Sequence, residues 1–278
     1  MDNLLLLIDG NSLITASYFA LPPLYTSTGI STNALKGFVD TVYKLLNDYQ
    51  PSHMLVAFDS KENKRKEAYP DYKANRRELD EALYSQFEYI ERFLKYMHIP
   101  MLRKSGYEAD DIIASFTIAF NEAMPIIIAT RDKDLFRLCC PSVRIAYSVG
   151  SGQLVDSAGV VDMLGVLPEQ VGFFKALSGD PSDNVKGVPG IGKVTASKLL
   201  NRYGDLDTIV KLAEEEALEP ARAGRLIREN MAELNKSFDL VRFITRPINI
   251  RIDMLELRIP EINPELDAFF EAMEFSTR

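Results

Sequence analysis

The chain has 278 residues, of which 46% are hydrophobic and 26% charged. This composition is typical of a globular protein of one or two domains and excludes disordered and low-complexity chains. The longest aliphatic run, Leu4–Ile8, is far shorter than the roughly 20 residues of a membrane span, and no basic region precedes it, so we expect neither a membrane segment nor a signal peptide. The net charge of −8, taken as a total, argues mildly against a nucleic-acid partner.

The first half of the chain alternates between aliphatic runs and amphipathic segments. Strands are predicted at Leu4–Ile8, His53–Phe58, Met124–Thr130 and Val143–Tyr147. Helices are predicted at Ala34–Asn47, Glu78–Tyr96 and Ala109–Ala123, where apolar residues recur at helical spacing. This alternation indicates an α/β fold with a mostly parallel, twisted sheet flanked by helices.

Strand signals nearly vanish beyond about residue 165. Helices are predicted at Val166–Ser178, Gly192–Tyr203, Asp205–Glu216, Pro220–Leu234 and Pro264–Met273, with one weak strand at Ile248–Ile252. We therefore predict an α/β core over residues 1–165 and a helical half over residues 166–278. Because no linker rich in Pro or Ser separates the two, we expect them to pack together.

The two cysteines, Cys139 and Cys140, are adjacent and cannot join distant segments. Such a pair is typical of reduced thiols in a reducing compartment. We expect the protein to be cytoplasmic.

Acidic residues concentrate where the predicted strands end and where one helix begins. The set comprises Asp9, Asp59, Asp132 and Asp134 after strands, Glu108, Asp110 and Asp111 at a helix start, and Asp180 and Asp183 in a polar turn. A single acid after a strand is usually a helix cap, and a solvated acidic rim is the alternative for the whole set. Because parallel strands present their carboxyl ends at one edge of a sheet, we expect these side chains to converge on one cleft.

So many carboxylates in one place require positive charge to offset their repulsion. Oxygen ligands suit Mg²⁺ or Mn²⁺, and the sequence has no Cys/His set for zinc. Two such ions about 4 Å apart are the usual device for cleaving phosphodiesters. The acids therefore predict a two-metal site.

A basic stretch follows Asp59 directly. Between Lys61 and Arg77, seven basic residues outnumber three acidic ones, and Tyr69 and Tyr72 lie among them. Charge runs are often merely solvated. Cations interleaved with aromatic rings nevertheless suit nucleic acid, because the cations meet phosphates and the rings stack on bases.

Gly187–Lys193 nearly fits a nucleotide-binding phosphate loop. Val194, however, stands where the magnesium-binding hydroxyl is needed, and no strand precedes the segment. A hairpin between two helices fits better, with glycines that allow the backbone to approach a phosphate. Lys193 and Lys198 follow the turn, so we expect it to hold duplex DNA by the backbone without reading sequence.

The chain resembles the flap endonuclease family, and in particular the 5′ nuclease domain of bacterial DNA polymerase I and its stand-alone relatives. The matching segments are LLIDGNSL around Asp9, AFDSK around Asp59, AYPDYKANR at 68–76, GYEADD at 106–111, TRDKDL at 130–135 and SGDPSDNVKGVPGIGKVTASKLL at 178–200. They span most of the first 200 residues in the family's order. The resemblance implies a PIN-like 5′ nuclease core with a helix-hairpin-helix variant in the helical half.

The resemblance also implies roles for individual residues. The nine acids fall on the family's metal-binding positions: Asp59, Asp110 and Asp111 for one ion, Asp134, Asp180 and Asp183 for the other, Asp132 between them, and Asp9 and Glu108 ordering waters. Lys73 and Arg76 fall on its catalytic cations. The family's arch corresponds to about residues 61–84. Its helix-hairpin-helix, at about 185–200, typically holds K⁺. Our candidate DNA contacts are Arg65, Tyr72, Arg77, Gly187, Gly190, Gly192, Lys193 and Lys198.

The expected function is that of a structure-specific 5′ nuclease acting in primer removal and repair. Its expected partners are DNA with 5′ flaps, nicks or 5′ overhangs, RNA–DNA primers, and a polymerase in cis or in trans. The sequence departs from the family at Arg131, where many relatives have Gly. A catalytically impaired DNA-junction binding protein, with Arg131 in a metal position, is therefore the alternative, and an RNA-specific nuclease is a third.

Overall fold

A computed structural model describes residues 3–76, 80–245, 252–260 and 263–275. Within these ranges, no helix combines the length and the apolar character needed to span a bilayer. Arg77 and most of the weak strand predicted at Ile248–Ile252 lie outside the described residues.

A six-stranded sheet forms the centre of the first half. Its strands are β1 (Leu5–Asp9), β2 (His53–Phe58), β3 (Met101–Arg103), β4 (Ile126–Ala129), β5 (Val143–Ser148) and β6 (Gln153–Val155), in the spatial order β3-β2-β1-β4-β5-β6. All neighbouring pairs are parallel except β5 and β6, which run antiparallel. The mostly parallel sheet is thus confirmed. β3 and β6 have three residues each and escaped prediction.

Helices surround the sheet and make up most of the second half. In the first half they are α1 (Gly10–Ala20), α2 (Asn33–Tyr49), α3 (Lys64–Ala68), α4 (Glu81–Tyr96), α5 (Ala109–Phe120) and α6 (Ser157–Leu164). In the second half they are α7 (Val171–Ser178), α8 (Lys193–Tyr203), α9 (Leu206–Glu214), α10 (Ala221–Glu229), α11 (Met231–Val241) and α12 (Pro264–Ala272). The helix predicted at Pro220–Leu234 is wrong in its extent. The helix ends before Asn230, and a separate helix, α11, begins at Met231 and ends at Val241.

Two apolar cores lie on opposite faces of the sheet. Alternate residues of β1 show the division: Leu5 and Leu7 pack on one side, and Leu6 and Ile8 on the other. The first core joins α5 to helices of the second half, for example through Phe116 and Leu200. The second half therefore packs against the first, which holds the ends of β1, β2 and β4 beside the turn that follows α7.

Candidate metal centre

Acidic side chains mark the carboxyl ends of the three central strands. Asp9 closes β1 and caps α1, accepting hydrogen bonds from Ser12 N (3.1 Å) and Thr130 Oγ1 (2.8 Å). Asp59 follows β2 and accepts from Ala109 N (2.8 Å), which ties it to the start of α5. Asp132 follows β4 and caps the short helix at Lys133–Leu138. Each acid acts as a cap or turn residue, and together they line one edge of the sheet.

Six of the acids form two compact groups. In the first group, Glu108, Asp110 and Asp111 begin α5, and one carboxylate oxygen of each lies within 4.8 Å of the others. In the second group, Asp134, Asp180 and Asp183 bring their oxygens equally close. The second group combines an acid that follows β4 with a turn of the helical half, so both halves of the chain build the site.

A tight turn over residues 71–76 lies between the two groups. Tyr72 donates from its hydroxyl to Glu108 Oε2 (3.1 Å) and Asp183 Oδ2 (3.5 Å). Lys73 pairs with Glu108 and lies 3.8 Å from Asp183 Oδ2, while Arg76 pairs with Asp183. The backbone fixes the turn as well, because Lys73 N donates to Asp183 O (3.0 Å). Tyr72 and Lys73 thus link acids from both groups, and Arg76 contacts the second group alone.

Lys175 is a site residue that the sequence reasoning missed. It projects from α7 and pairs with Asp134 and, at 2.6 Å, with Asp180 Oδ2. In the sequence it is an ordinary lysine in an amphipathic helix. Its spacing of five residues before Asp180 was the only available signal, and it is a weak one.

Burial and mutual repulsion perturb the acids unequally. Burial, with Asp59 and Asp132 nearby, raises the pKa of Asp9 to about 7. Burial also raises the pKa values of Asp59, Asp110 and Asp132. Burial would raise the pKa of Glu108 too, but Lys73 and Arg65 hold that pKa below its usual value. At Asp9, Asp59, Asp110 and Asp132, positive charge from the protein thus does not offset the effect of burial on the pKa.

One buried oxygen tests directly whether the site suits a cation. Asp110 Oδ1 is buried and has no hydrogen-bond partner among the described residues. A bare carboxylate oxygen is costly inside a protein unless it is paired or binds a metal. Since all the surrounding ligands offer hard oxygen, the residues fit Mg²⁺ or Mn²⁺.

Two of our candidate DNA contacts are not on the surface. Arg65 is 5% exposed and Tyr72 is 4% exposed. The guanidinium of Arg65 forms ion pairs with Glu108 and Asp111. The sequence predicted that both side chains would face nucleic acid, whereas here they face the acids, because buried carboxylates attract the nearest cation and hydroxyl.

The predicted hairpin turn joins α7 to α8. Gly187 is buried with a φ of +67°, and a Cβ there would lie 2.2 Å from Gly179 N. Gly190, Gly192, Lys193 and Lys198 are all exposed. Gly187 therefore allows the backbone to fold back closely, whereas the other four residues form an open surface.

Arg131 turns away from the acids. Its guanidinium donates to Tyr147 O (2.9 Å) and lies 5.4 Å from the centre of the Tyr147 ring. Over the described ranges it forms no ion pair with a cleft carboxylate. This position does not support the alternative in which Arg131 occupies a metal position.

Comparisons with known proteins agree with this architecture. Residues 4–165 match the family model described as the 5′-3′ exonuclease N-terminal resolvase-like domain, and residues 166–265 match the 5′-3′ exonuclease C-terminal SAM fold. The chain is 38% identical to DNA polymerase I of Rhizobium leguminosarum over 98% of its own length, but it spans only 28% of that polymerase. It is 34% identical to a 5′-3′ exonuclease of Aquifex aeolicus, with 93% of this chain and 88% of that protein covered.

Solved structures share the fold at low sequence identity. The bacteriophage T5 5′-exonuclease with bound zinc ions superposes with a TM-score of 0.70 at 21% identity, with 98% of each chain covered. The catalytic core of Rad2 in complex with a DNA substrate gives a TM-score of 0.64 at 14% identity, with 98% of this chain and 88% of that chain covered. With both family models matched along the chain and the exonuclease relative covered almost end to end, the chain belongs to the 5′-3′ exonuclease family, a family of nucleases.

Proposed function

We propose that this chain is a structure-specific 5′ nuclease that hydrolyses DNA phosphodiesters with two divalent ions, Mg²⁺ or Mn²⁺. The observation that carries the proposal is the pair of acidic groups bridged by Tyr72 and Lys73. Asp59 and two acids of the first group, Asp110 and Asp111, would hold one ion, and the second group would hold the other. Glu108 would order waters beside the first ion. Bound there, the ions lower the pKa of a water nucleophile and stabilise the leaving oxygen.

The cations of the turn at 71–76 have a separate task. Lys73 lies between the two groups, and Arg76 is half exposed beside Asp183. From these positions the ammonium and guanidinium groups orient the scissile phosphate and offset the charge that develops on it. Asp9 is fixed by two hydrogen bonds and, like Asp132, orders the edge at which the phosphate binds.

The glycine turn and α8 supply the grip on duplex DNA. Gly190, Gly192 and the two exposed lysines, Lys193 and Lys198, present backbone and positive charge on one surface. Contacts of this kind hold phosphates without reading bases. K⁺ at this turn stays a prediction from the family resemblance, as do the contacts of Arg77.

The substrates and partners belong to the same proposal. The bacteriophage T5 flap endonuclease was solved in a complex with DNA and metal ions, which supports a DNA substrate. The match to DNA polymerase I supports a polymerase partner, in cis or in trans. 5′ flaps, nicks, 5′ overhangs and RNA–DNA primers are the proposed structures. The free thiols Cys139 and Cys140 support a reducing cytoplasm as the location.

A 5′-flap duplex labelled at the flap tests the proposal. We expect Mg²⁺-dependent release of the flap near the junction, no cleavage in excess chelator, and slower cleavage of a blunt duplex of the same sequence. Asp134→Ala should still bind the duplex but should not cut it. Binding without cleavage by the native chain would favour the junction-binding alternative, and preference for an RNA duplex would favour the RNA nuclease.

A further inference from the structure

Asp111 differs from its neighbour Asp110 in that all its acceptor sites are already used. Its Oδ1 accepts from Arg65 Nη2 (2.7 Å) and Ile244 N (2.7 Å), and its Oδ2 accepts from Arg65 Nη1 (2.8 Å) and Glu108 N (3.1 Å). A carboxylate has about four lone-pair sites. Asp111 is also fully buried, so its side chain has no oxygen left for an ion.

Arg65 connects Asp111 to two other parts of the molecule. One arm of the guanidinium also donates to Glu108 Oε2 (2.7 Å), and the other donates to the backbone oxygen of Arg242 (2.8 Å). Arg65 is the only buried cation of α3. Arg65 therefore joins the beginning of the basic stretch (residues 61–77) to the first turn of α5 and to the end of α11.

A second arginine, which is half-buried, fixes the same stretch of chain. Arg137 donates to Val241 O (2.6 Å) and lies 4.5 Å from the centre of the Phe243 ring. Together with the bonds from Arg65 to Arg242 O and from Ile244 N to Asp111, residues 241–244 are held at four points. This stretch lies beside the first turn of α5.

We propose that Asp111 is not a metal ligand but forms, with Arg65, a buried unit that positions Asp110 and Glu108 for the first ion. This inference rests on the proposed function and revises one residue of it. The bidentate pair fixes two planar groups relative to each other, so the helix turn that carries Asp110 cannot rotate. Partners that orient metal ligands in this way commonly change metal affinity about 10- to 100-fold when removed.

Mn²⁺ titration of the full chain separates a ligand from a positioning residue. Asp110→Asn should lose one of two bound Mn²⁺. Asp111→Asn should keep both, with one bound about 10- to 100-fold more weakly, and should melt at a lower temperature in chelator because Arg65 loses its main partner. Asp205→Ala is the matched control: it removes the N-cap of α9, which accepts from Thr208 N (2.7 Å), and should lower the melting temperature without changing Mn²⁺ affinity.

Two further variants guard against loss of folding. Arg65→Lys keeps the charge but cannot span both oxygens, so it should fold and show the same weakened Mn²⁺ affinity. The double variant Arg65→Met, Asp111→Leu leaves no unpaired charge between these two positions. It should therefore melt at a higher temperature than Arg65→Met alone or Asp111→Leu alone, and it should still bind two Mn²⁺.

Two results would overturn the inference: loss of a bound Mn²⁺ from Asp111→Asn, or a wild-type Mn²⁺ affinity in that variant. The outcome is independent of the proposed activity. If the native chain binds two Mn²⁺ but does not cleave a flap, the proposed function fails, and the comparison of Asp110→Asn with Asp111→Asn still decides the role of Asp111.

Discussion

Adjacent residues of one tight turn, Tyr72 and Lys73, each contact both acidic groups. Lys73 has a φ of +55°, which is uncommon outside glycine, and the hydrogen bond from its backbone to Asp183 O holds it there. This backbone conformation places the Lys73 side chain between Glu108 and Asp183. We expect a cation placed so specifically to act on the reacting phosphate, whereas a distant surface lysine would contribute only general attraction.

Replacing Lys73 tests that distinction. We expect Lys73→Ala to slow single-turnover flap cleavage by about 100-fold with little change in duplex affinity. Lys198→Ala is the matched control, since its side chain is exposed on α8: it should weaken duplex binding and reduce the salt dependence of binding with little effect on the cleavage step. An unchanged single-turnover rate in Lys73→Ala would remove Lys73 from the mechanism.

Asp183 provides a second test at the residue scale. It belongs to the second group and pairs with Arg76. Asp183→Asn keeps the shape but removes the charge, so it should reduce the cleavage rate by at least about 100-fold and leave the dissociation constant for duplex DNA within about threefold. Equal losses in both measurements would mean that Asp183 contributes to DNA binding rather than to the metal site.

The turn between α7 and α8 shows how an element depends on backbone chemistry. Hydrogen bonds from Val188 N to Leu177 O (2.9 Å) and from Gly187 N to Ser237 Oγ (3.1 Å) fix it against α7 and α11. At Gly187 the backbone comes so close to Gly179 that no side chain fits, whereas around Gly192 there is open space. The two glycines therefore have different roles in the same motif.

Alanine substitutions should separate those roles. Gly187→Ala should lower the melting temperature by several degrees and weaken duplex binding, because its Cβ would collide with the backbone at a positive φ. Gly192→Ala has room and a φ of −90°, so it should fold normally. Any loss of duplex affinity in Gly192→Ala then reports contact with DNA. Normal stability of Gly187→Ala would contradict the steric argument.

The length and burial of each strand explain which strands the sequence could predict. β1, β2 and β4 are largely apolar runs that are buried on both faces, and such runs are visible without tertiary information. β3 and β6 have three residues each and form only because a neighbouring strand offers hydrogen bonds. The four acids that follow strands, Asp9, Asp59, Asp132 and Asp134, could be placed at one edge because the topology of a parallel sheet fixes where its strands end.

Electrostatic pairing could not be predicted from the sequence. Arg65 belongs to a run of basic residues, and nothing local distinguishes it from Lys64 or Lys66. Its burial follows from the helical phase of α3 and from Asp111, which lies 46 positions further along the chain. Lys175 likewise becomes a site residue only when α7 packs beside the sheet.

The acids also set how the stability of the whole molecule depends on pH. The pKa of Asp9 is raised to about 7, and those of Asp59, Asp110 and Asp132 are raised as well. Such groups bind protons more tightly in the folded than in the unfolded state. Their stabilising effect is therefore complete below about pH 4 and disappears as the pH rises through the folded pKa values.

We therefore expect the melting temperature in chelator to fall between about pH 5 and pH 8. Mg²⁺ should raise it, and by more at pH 8 than at pH 6, because protons compete with the metal for the same oxygens. Thermal melts with and without Mg²⁺ over this range provide the measurement. Asp9→Asn should flatten the pH dependence in chelator. A melting temperature that rises steadily towards pH 8 in chelator would contradict the assigned direction of these shifts.

Helix α12 belongs to the helical half in sequence but packs with the first half in space. Its Phe270 lies against Phe93 of α4, with ring centres 6.1 Å apart, and Glu274 accepts from Ser27 N (2.9 Å). Three of its apolar residues, together with Met273 directly after it, complete the core behind β1 and β2. A cut between residues 165 and 166 would therefore not yield two self-sufficient pieces, because the front piece would lack its own closing helix. A graft of this fold onto another protein therefore has to include α12 together with the sheet.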